Sequence, residues 1–243
     1  MNTKYIQTLA DKNCFNREDL FKAFRENDCG IGKESMKKQL QNMLNAGTIV
    51  RVGRNAYCIP VKNIIQYEYQ YSQFSKDVAN QIQEKHPYLD FLIFETFQLN
   101  EFVNHQLAHN TIFVSVESEI IDFVFDTLKK EYSGNVLINP TVEVFHRYWV
   151  DNMIVLTKMV TEAPKGKKQR WHTRIENILV DLISAPLLQA SIGESEYPVI
   201  FEEAFARYVI DESCLFRYAK RRTSEKKIKK LILEETSIVL RTE

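Results

Sequence analysis

A mixed α/β fold is predicted for this 243-residue chain by three observations. Residues 16–59 carry two helical patterns followed by two short strand patterns. Residues 89–161 alternate strand-like and helical segments. Residues 173–235 hold a succession of helical segments. Charge supports a division near residue 62. The chain has 32 Lys+Arg and 32 Asp+Glu, yet residues 1–62 hold 11 basic and 6 acidic side chains, a net of +5, which leaves −5 on the rest. A basic head on an acidic body suits a unit that must approach a polyanion.

The head is punctuated at every boundary. Asn16 is placed to cap a first helix, with Asp19 three residues on in capping-box position. Leu20, Phe21 and Phe24 fall on one helical face. Gly30 and Gly32 mark a turn. With Gly32 as N-cap, Ile31 and Met36 form a hydrophobic staple. Met36, Leu40, Met43 and Leu44 continue one apolar stripe, and Gly47 ends the second helix. Ile49, Val50 and Val52 read as a strand, Gly53-Arg54-Asn55 as a turn, and Ala56 to Ile59 as a return strand. Pro60 closes the unit because it cannot donate to a continuing ladder. This order and these lengths predict a winged helix-turn-helix over residues 1–62, a fold that lays one helix in the DNA major groove. Lys33, Ser35, Lys37, Lys38 and Gln41 lie on or beside the polar face of the second helix. Lys and Ser suit phosphate, and Gln suits an adenine edge. Arg51 and Arg54 belong to the wing, where Arg touches backbone or minor groove.

The body, residues 63–243, starts with Ile65, Tyr67, Tyr69 and Tyr71 in alternation, a strand or a stiff linker. A helix is expected over Ser75–Lys85. Strands are expected at Leu89–Glu95, Thr111–Val116, Val136–Ile138 and Met153–Thr161. Helices are expected between them at Leu99–Ala108, Ser118–Glu131 and Val142–Trp149. That rhythm predicts βαβ-type pairing with right-handed crossovers between parallel neighbours. After the basic loop Ala163–Gln169, a helical part over about 172–236 holds helices at Thr173–Ser184, Pro198–Val209, Asp211–Arg222 and Ser224–Glu235, with Asp211 and Ser224 as N-caps.

Few residues point to catalysis. His105 and His109 are spaced i, i+4, but the acid a metalloprotease needs beside the first His is replaced by Gln106, so no metal is expected. Asp90, Glu95 and Glu117 on or near strands are the residue types of a Mg²⁺ nuclease, although LIFETF and VSVESE offer no accompanying Lys. Glu176 and Asp181 read as interaction groups or as ion-pair partners and caps. With 7 glycines the chain contains no phosphate-cradling glycine loop and no G-x-S-x-G elbow. Neither catalysis nor a cofactor is expected. Cys14, Cys29, Cys58 and Cys214 form no C-x-x-C pair and are expected reduced. No apolar run reaches the ~18 residues of a membrane span, and the first residues lack a secretion signal, so a cytoplasmic protein is expected. The stretch Lys220–Lys230 is open to two readings, a second polyanion contact or the solvated face of an amphipathic pair.

EDLFKAF, SMKKQLQNMLNAGTIVRVGRNAYCI, FLIFETFQLNEF, NTIFVSVES, IVLTKMVTEAP and RIENILVDLI together resemble the AbiEi-type antitoxins of type IV, abortive-infection toxin–antitoxin systems. The resemblance implies a transcriptional regulator whose head binds double-stranded DNA at inverted repeats in its own promoter. It also implies a body that counters a nucleotidyltransferase-like toxin, without requiring a stable complex. Two other readings stay open: a nuclease-like enzyme with a DNA-targeting head, and a protein-interaction module.

Overall fold

The computed structural model describes residues 9, 12, 14–27, 30–60, 64–103 and 105–241. Cys29 and the expected boundary at residue 62 lie outside the described residues. The first described helix, α1 (Arg17–Asn27), begins where the capping signal places it. Asn16 Oδ1 accepts from the amides of Glu18 and Asp19 at 2.7 and 2.9 Å, and Asp19 Oδ2 accepts from the Asn16 amide at 3.0 Å. Asn16→Ala is therefore expected to cost about 1 kcal/mol, read as a lower urea midpoint with an unchanged m-value.

Helix α2 (Lys33–Asn45) starts at an extended Gly32 and ends in a Schellman turn. There Gly47 takes a φ of +66°, and the amides of Gly47 and Thr48 donate to Leu44 and Met43 at 3.1 and 3.0 Å. Strands β1 (Val50–Gly53) and β2 (Ala56–Cys58) pair antiparallel through Arg51↔Tyr57, with Asn55 at φ 58° turning the chain. Phe15 also pairs with Tyr57, each amide donating to the other carbonyl at 2.9 Å, which adds a one-residue third strand. Leu20, Phe24, Met36, Leu40, Ile49 and Tyr57 fill the core beneath.

From Ile65 to Tyr71 the chain runs extended without entering a sheet. It is strapped down by backbone bonds of Ile65 to Arg207 and Val209 at 3.0 Å, and by Tyr71 Oη donating to the Ile93 carbonyl at 2.8 Å. The linker reading therefore holds. Helix α3 (Gln73–Lys85) follows, capped by Ser72.

The body's sheet contains β3 (Phe91–Glu95), β4 (Thr111–Val116), β5 (Val136–Ile138) and β6 (Met153–Lys158) in the order β3-β4-β6-β5. Strands β4, β6 and β5 are parallel neighbours, joined by way of α4 (Ile121–Glu131) and α5 (Val142–Tyr148). Strand β3 departs from the βαβ expectation and runs antiparallel to β4. The reason lies in the connection. The helix expected over Leu99–Ala108 is only a 3₁₀ segment, Thr96–Glu101. Asn100 exchanges hydrogen bonds with the Leu107 backbone at 2.6 and 3.2 Å, which folds the loop back on itself. A reversing loop returns the chain beside the strand it left, so the pair is antiparallel.

Alternation along the strands separates two cores. Phe91, Ile93, Ile112, Val114, Ile154 and Leu156 face α3 and α4. Leu92, Phe94, Phe113, Met153 and Val155 face the C-terminal helices. Those are α6 (Ile175–Ser184), α7 (Pro186–Gln189), α8 (Tyr197–Arg207), α9 (Glu212–Arg221) and α10 (Glu225–Glu235). Asp211 caps α9 by accepting from the Cys214 amide at 3.0 Å. Ser224 does not cap α10, because its buried hydroxyl donates back to the Ala219 carbonyl at 3.3 Å. Among the described residues no helix is long and apolar enough to cross a membrane.

A smaller apolar cluster joins head to body: Val50, Val52 and Cys58 of the hairpin pack with Val209. Beside it the Arg241 amide donates to the buried Glu212 carboxylate at 2.9 Å. The hairpin is therefore seated on the body.

Candidate nucleic-acid interface

Helix α2 buries Met36 and Leu40, which turns the side chains of Lys33, Ser35, Lys37, Lys38 and Gln41 outward, and all five are exposed. Lys33, Lys37 and Gln41 share one i, i+4 row. Lys37 Nζ lies 2.7 Å from Glu34 Oε1, and Gln41 Nε2 donates to Asn45 Oδ1 at 2.9 Å. Both contacts are solvent-exposed and weak enough to yield to a ligand.

On the hairpin, period-two alternation sends Val50 and Val52 inward and Arg51 outward. Arg51 Nε donates to the Gly53 carbonyl at 3.0 Å, which aligns the guanidinium along the turn. The Arg54 side chain is exposed, while its amide donates to Ser213 Oγ of α9 at 2.9 Å.

Arg51 and Arg54 meet three cations that the sequence reading did not select. Arg17, Lys22 and Arg25 of α1 line, with the two hairpin arginines, an open cleft of about 730 Å³ in which Glu18 is the one acidic lining residue. The Arg17 amide donates to Asn55 Oδ1 at 3.1 Å and so fixes the start of α1 against the hairpin tip. Five cations against one carboxylate make this a concave positive surface, which attracts phosphate more strongly than a flat one. The α1 signal was present in the sequence, since Arg17 and Arg25 are eight residues apart on one helical row. Lys33, Ser35, Lys37, Lys38 and Gln41 do not line this cleft; they form a separate exposed face on α2.

The candidate carboxylates of the body do not converge. Asp90 and Glu95 flank β3 at opposite ends. Asp90 is held by Lys165 at 2.8 Å and Arg170 at 3.1 Å, and the Lys165 hydrogen bond keeps its carboxyl below the ordinary range. Glu95 is fully buried and accepts from the Ser72 amide at 2.8 Å and Asn110 Nδ2 at 3.1 Å, so it ties strand to linker. Glu117 is exposed. His109 lies in a loop, 3.8 Å from Asp151, and the i, i+4 helical argument for it and His105 lapses. Among the described residues no group of three His, Cys, Asp or Glu could hold a metal ion.

Glu176 and Asp181 are ion-pair partners, Glu176 buried in the core and Asp181 half-buried at its edge. Glu176 lies 2.7 Å from Arg174 Nη2 and accepts from the Asp211 amide at 2.9 Å. Asp181 pairs with Arg222 Nε at 3.0 Å and accepts from Tyr218 Oη at 3.1 Å. Burial pushes both carboxyls above their ordinary values, against the pull of their arginines. The Lys220–Lys230 stretch is the solvated side of an amphipathic pair. Arg221 pairs with Glu162 at 2.8 Å and Lys229 with Glu225 at 3.0 Å, while Ile228, Leu231 and Ile232 are buried. The thiols of Cys14, Cys58 and Cys214 are free, and burial raises all three.

Residues 35–238 match the model of a family of unknown function, DUF6577. The chain belongs to DUF6577. In this DUF6577 protein the matched span starts inside α2 and runs through the hairpin, the sheet and all five C-terminal helices. Among solved structures, the RV2827C protein from Mycobacterium tuberculosis is similar at 10% identity and a TM-score of 0.27, over 98% of this chain and 82% of that one. No curated protein matches.

Proposed function

We propose that this DUF6577 protein is a DNA-binding transcriptional regulator whose head, residues 1–62, is a winged helix-turn-helix acting on its own promoter. The observation that carries this reading is the set of exposed cations on the head. Lys33, Lys37 and Lys38 stand on α2, and five more basic side chains surround the cleft between α1 and the hairpin. The added strand at Phe15 supports it, since helices followed by a hairpin closed against a third strand are the parts of that fold. In this reading α2 enters the major groove, with Gln41 toward a base edge and Ser35 and the lysines toward phosphate. Arg51 and Arg54 contact backbone or minor groove beside it.

We further propose, on the resemblance to AbiEi-type antitoxins, that the regulator is the antitoxin of a type IV system and acts in the cytoplasm against a nucleotidyltransferase-like toxin. No catalytic role is assigned to the chain, which in this reading uses neither cofactor nor metal and does not associate with membrane.

The test of the first proposal is a fluorescence-anisotropy titration of the full chain on its own promoter across a salt series. With about five phosphate contacts, log K is expected to fall against log salt with a slope of about −4 to −5. A flat slope, or no binding at low salt, removes the DNA reading. The second proposal is tested separately, by co-expression with a nucleotidyltransferase-like neighbour from the same operon. Growth arrest that this protein does not relieve removes the antitoxin reading and leaves the DNA reading standing.

A further inference from the structure

Two of the free thiols occupy facing positions where the head meets the body. Phe15 and Tyr57 exchange both backbone hydrogen bonds at 2.9 Å, which makes them a hydrogen-bonded antiparallel pair. Antiparallel register carried one step further sets Cys14 opposite Cys58. That next pair is of the non-hydrogen-bonded kind, whose Cα atoms lie about 4.5 Å apart. A disulfide spans Cα separations of roughly 4.4–6.8 Å, provided both side chains leave the sheet on the same side. Alternation supplies that condition. Phe15 and Tyr57 face the core of the head, whereas Cys14 and Cys58 both meet the small apolar cluster of Val50, Val52 and Val209.

The surroundings differ between the two sulfurs. Cys14 is half-buried and Cys58 is buried, so an oxidant in solution meets Cys14 first. Arg241 Nη1 donates to Cys58 Sγ at 3.6 Å. Arg241 and Glu212 are the charged groups that face both thiols. Burial raises both thiols and Glu212 adds to the effect, while the Arg241 guanidinium pulls both back. A cation beside a thiol favours the thiolate, which is the reactive form.

We infer that Cys14 and Cys58 are a reversible disulfide site, closed by a hydroperoxide and reopened by a thiol reductant, that clamps the short strand at Phe15 to the hairpin. The Cys14 thiolate attacks one oxygen of hydrogen peroxide. An S–O bond forms, the O–O bond breaks, and the departing hydroxide takes a proton to become water. The Cys58 sulfur then attacks the Cys14 sulfur. An S–S bond forms, the S–O bond breaks, and a second water leaves. Two thiols are oxidised by two electrons in all, and one peroxide is reduced to two waters. Closure encloses α1, α2 and β1 in one covalent ring. A reversible pair of this kind suits a reducing compartment, where disulfides are transient and redox-sensing. The site stands on thiol geometry and does not depend on the DNA-binding reading.

The experiment treats the folded full chain with excess hydrogen peroxide, blocks the remaining thiols and digests with trypsin. Free thiols are expected to fall from four to two. The peptide of residues 13–17 is expected joined to that of residues 55–62, and dithiothreitol is expected to separate them. The closure rate is expected to rise about tenfold per pH unit while the thiols stay mostly protonated. Arg241→Leu, which keeps the backbone bond to Glu212, is expected to slow closure several-fold. In Cys58→Ser the Cys14 sulfenic acid is expected to persist and to be trapped by dimedone. Amide exchange at Phe15 and Tyr57 is expected to slow at least tenfold in the oxidised chain. Four thiols surviving peroxide, linkage to Cys29 or Cys214 instead, or closure only in urea would each overturn the site. Closure in Arg241→Leu at the parent rate would overturn the role of the guanidinium, and unchanged amide exchange would overturn the clamp.

Discussion

Arg174→Met is expected to lower the unfolding free energy by about 3–5 kcal/mol at neutral pH, and by much less at pH 4. Removing the guanidinium leaves the Glu176 carboxylate in the core, where only 1% of its side chain meets solvent. What remains is the donation from the Asp211 amide, which is not enough to replace a full charge. The pH dependence follows from the direction of the shift. Burial already raises the Glu176 carboxyl above its ordinary value, and Arg174 is the first influence pulling it down. Without Arg174 the folded-state value climbs further. Between the unfolded value, about 4.3, and that raised value the native state holds more proton than the unfolded chain, so stability falls as pH rises. At pH 4 the carboxyl is largely protonated in both states and most of the penalty disappears. The double variant Arg174→Met/Glu176→Leu is expected to recover most of the loss at pH 7, because it removes the stranded charge as well as its partner. Urea denaturation of the three chains at pH 4 and pH 7 decides it. An equal loss at both pH values would mean that Arg174 matters through packing, for instance against Cys214, whose Sγ lies 3.8 Å from Nη1.

That pair also shows what a linear reading can reach. Glu176 and Asp181 were visible as acids on an amphipathic helix, and surface pairing was a fair expectation for them. Their partners are Arg174, two residues away, and Arg222, 41 residues away, and Glu176 turns inward because α6 is buried on nearly every side, while Asp181 stays half-buried. Burial of a whole helix depends on what packs around it, which periodicity does not encode. Strands β4 and β5 were legible to the residue, because short apolar runs bounded by polar turns leave little choice. The segment after β3 departs from its helical pattern for an equally physical reason. Leu99, Phe102, Val103 and Leu107 repeat at helical spacing, but the loop closure by Asn100 depends on backbone that the pattern does not see. The antiparallel direction of β3 follows from that loop closure. In the head, caps and the Gly47 turn are local chemistry and were readable. The seam between Arg54 and Ser213 joins residues 159 apart and left no local trace. The α1 cations lie off its apolar face, where sequence alone does not separate a solvated row from a cleft wall.

Separating the two basic faces of the head is the other large effect. Lys37→Ala/Lys38→Ala and Arg17→Ala/Arg25→Ala each remove two exposed cations, one pair from α2 and one from the cleft. None of the four is buried, so stability is expected to stay within about 0.5 kcal/mol of the parent. Each lost phosphate contact is expected to flatten the salt slope by about 0.9. Extrapolated from 1 M to 0.15 M salt, that slope makes one contact worth about fivefold in affinity and a pair about 30-fold. If both faces touch DNA, both double variants lose about 30-fold, uniformly across operator and random sequence. Gln41→Ala is expected to behave differently, costing about 1–3 kcal/mol at a single base pair with the slope unchanged. The cleft pair carries the sharper consequence. Arg17 and Arg25 share their cleft with Arg51 and Arg54, and the Arg54 backbone is bonded to the body. Full affinity from Arg17→Ala/Arg25→Ala would confine contact to α2 and leave the hairpin's seat on α9 as a purely structural joint. A 30-fold loss would instead place the DNA backbone against a surface that the body holds in position, and any movement of α9 would then alter promoter affinity.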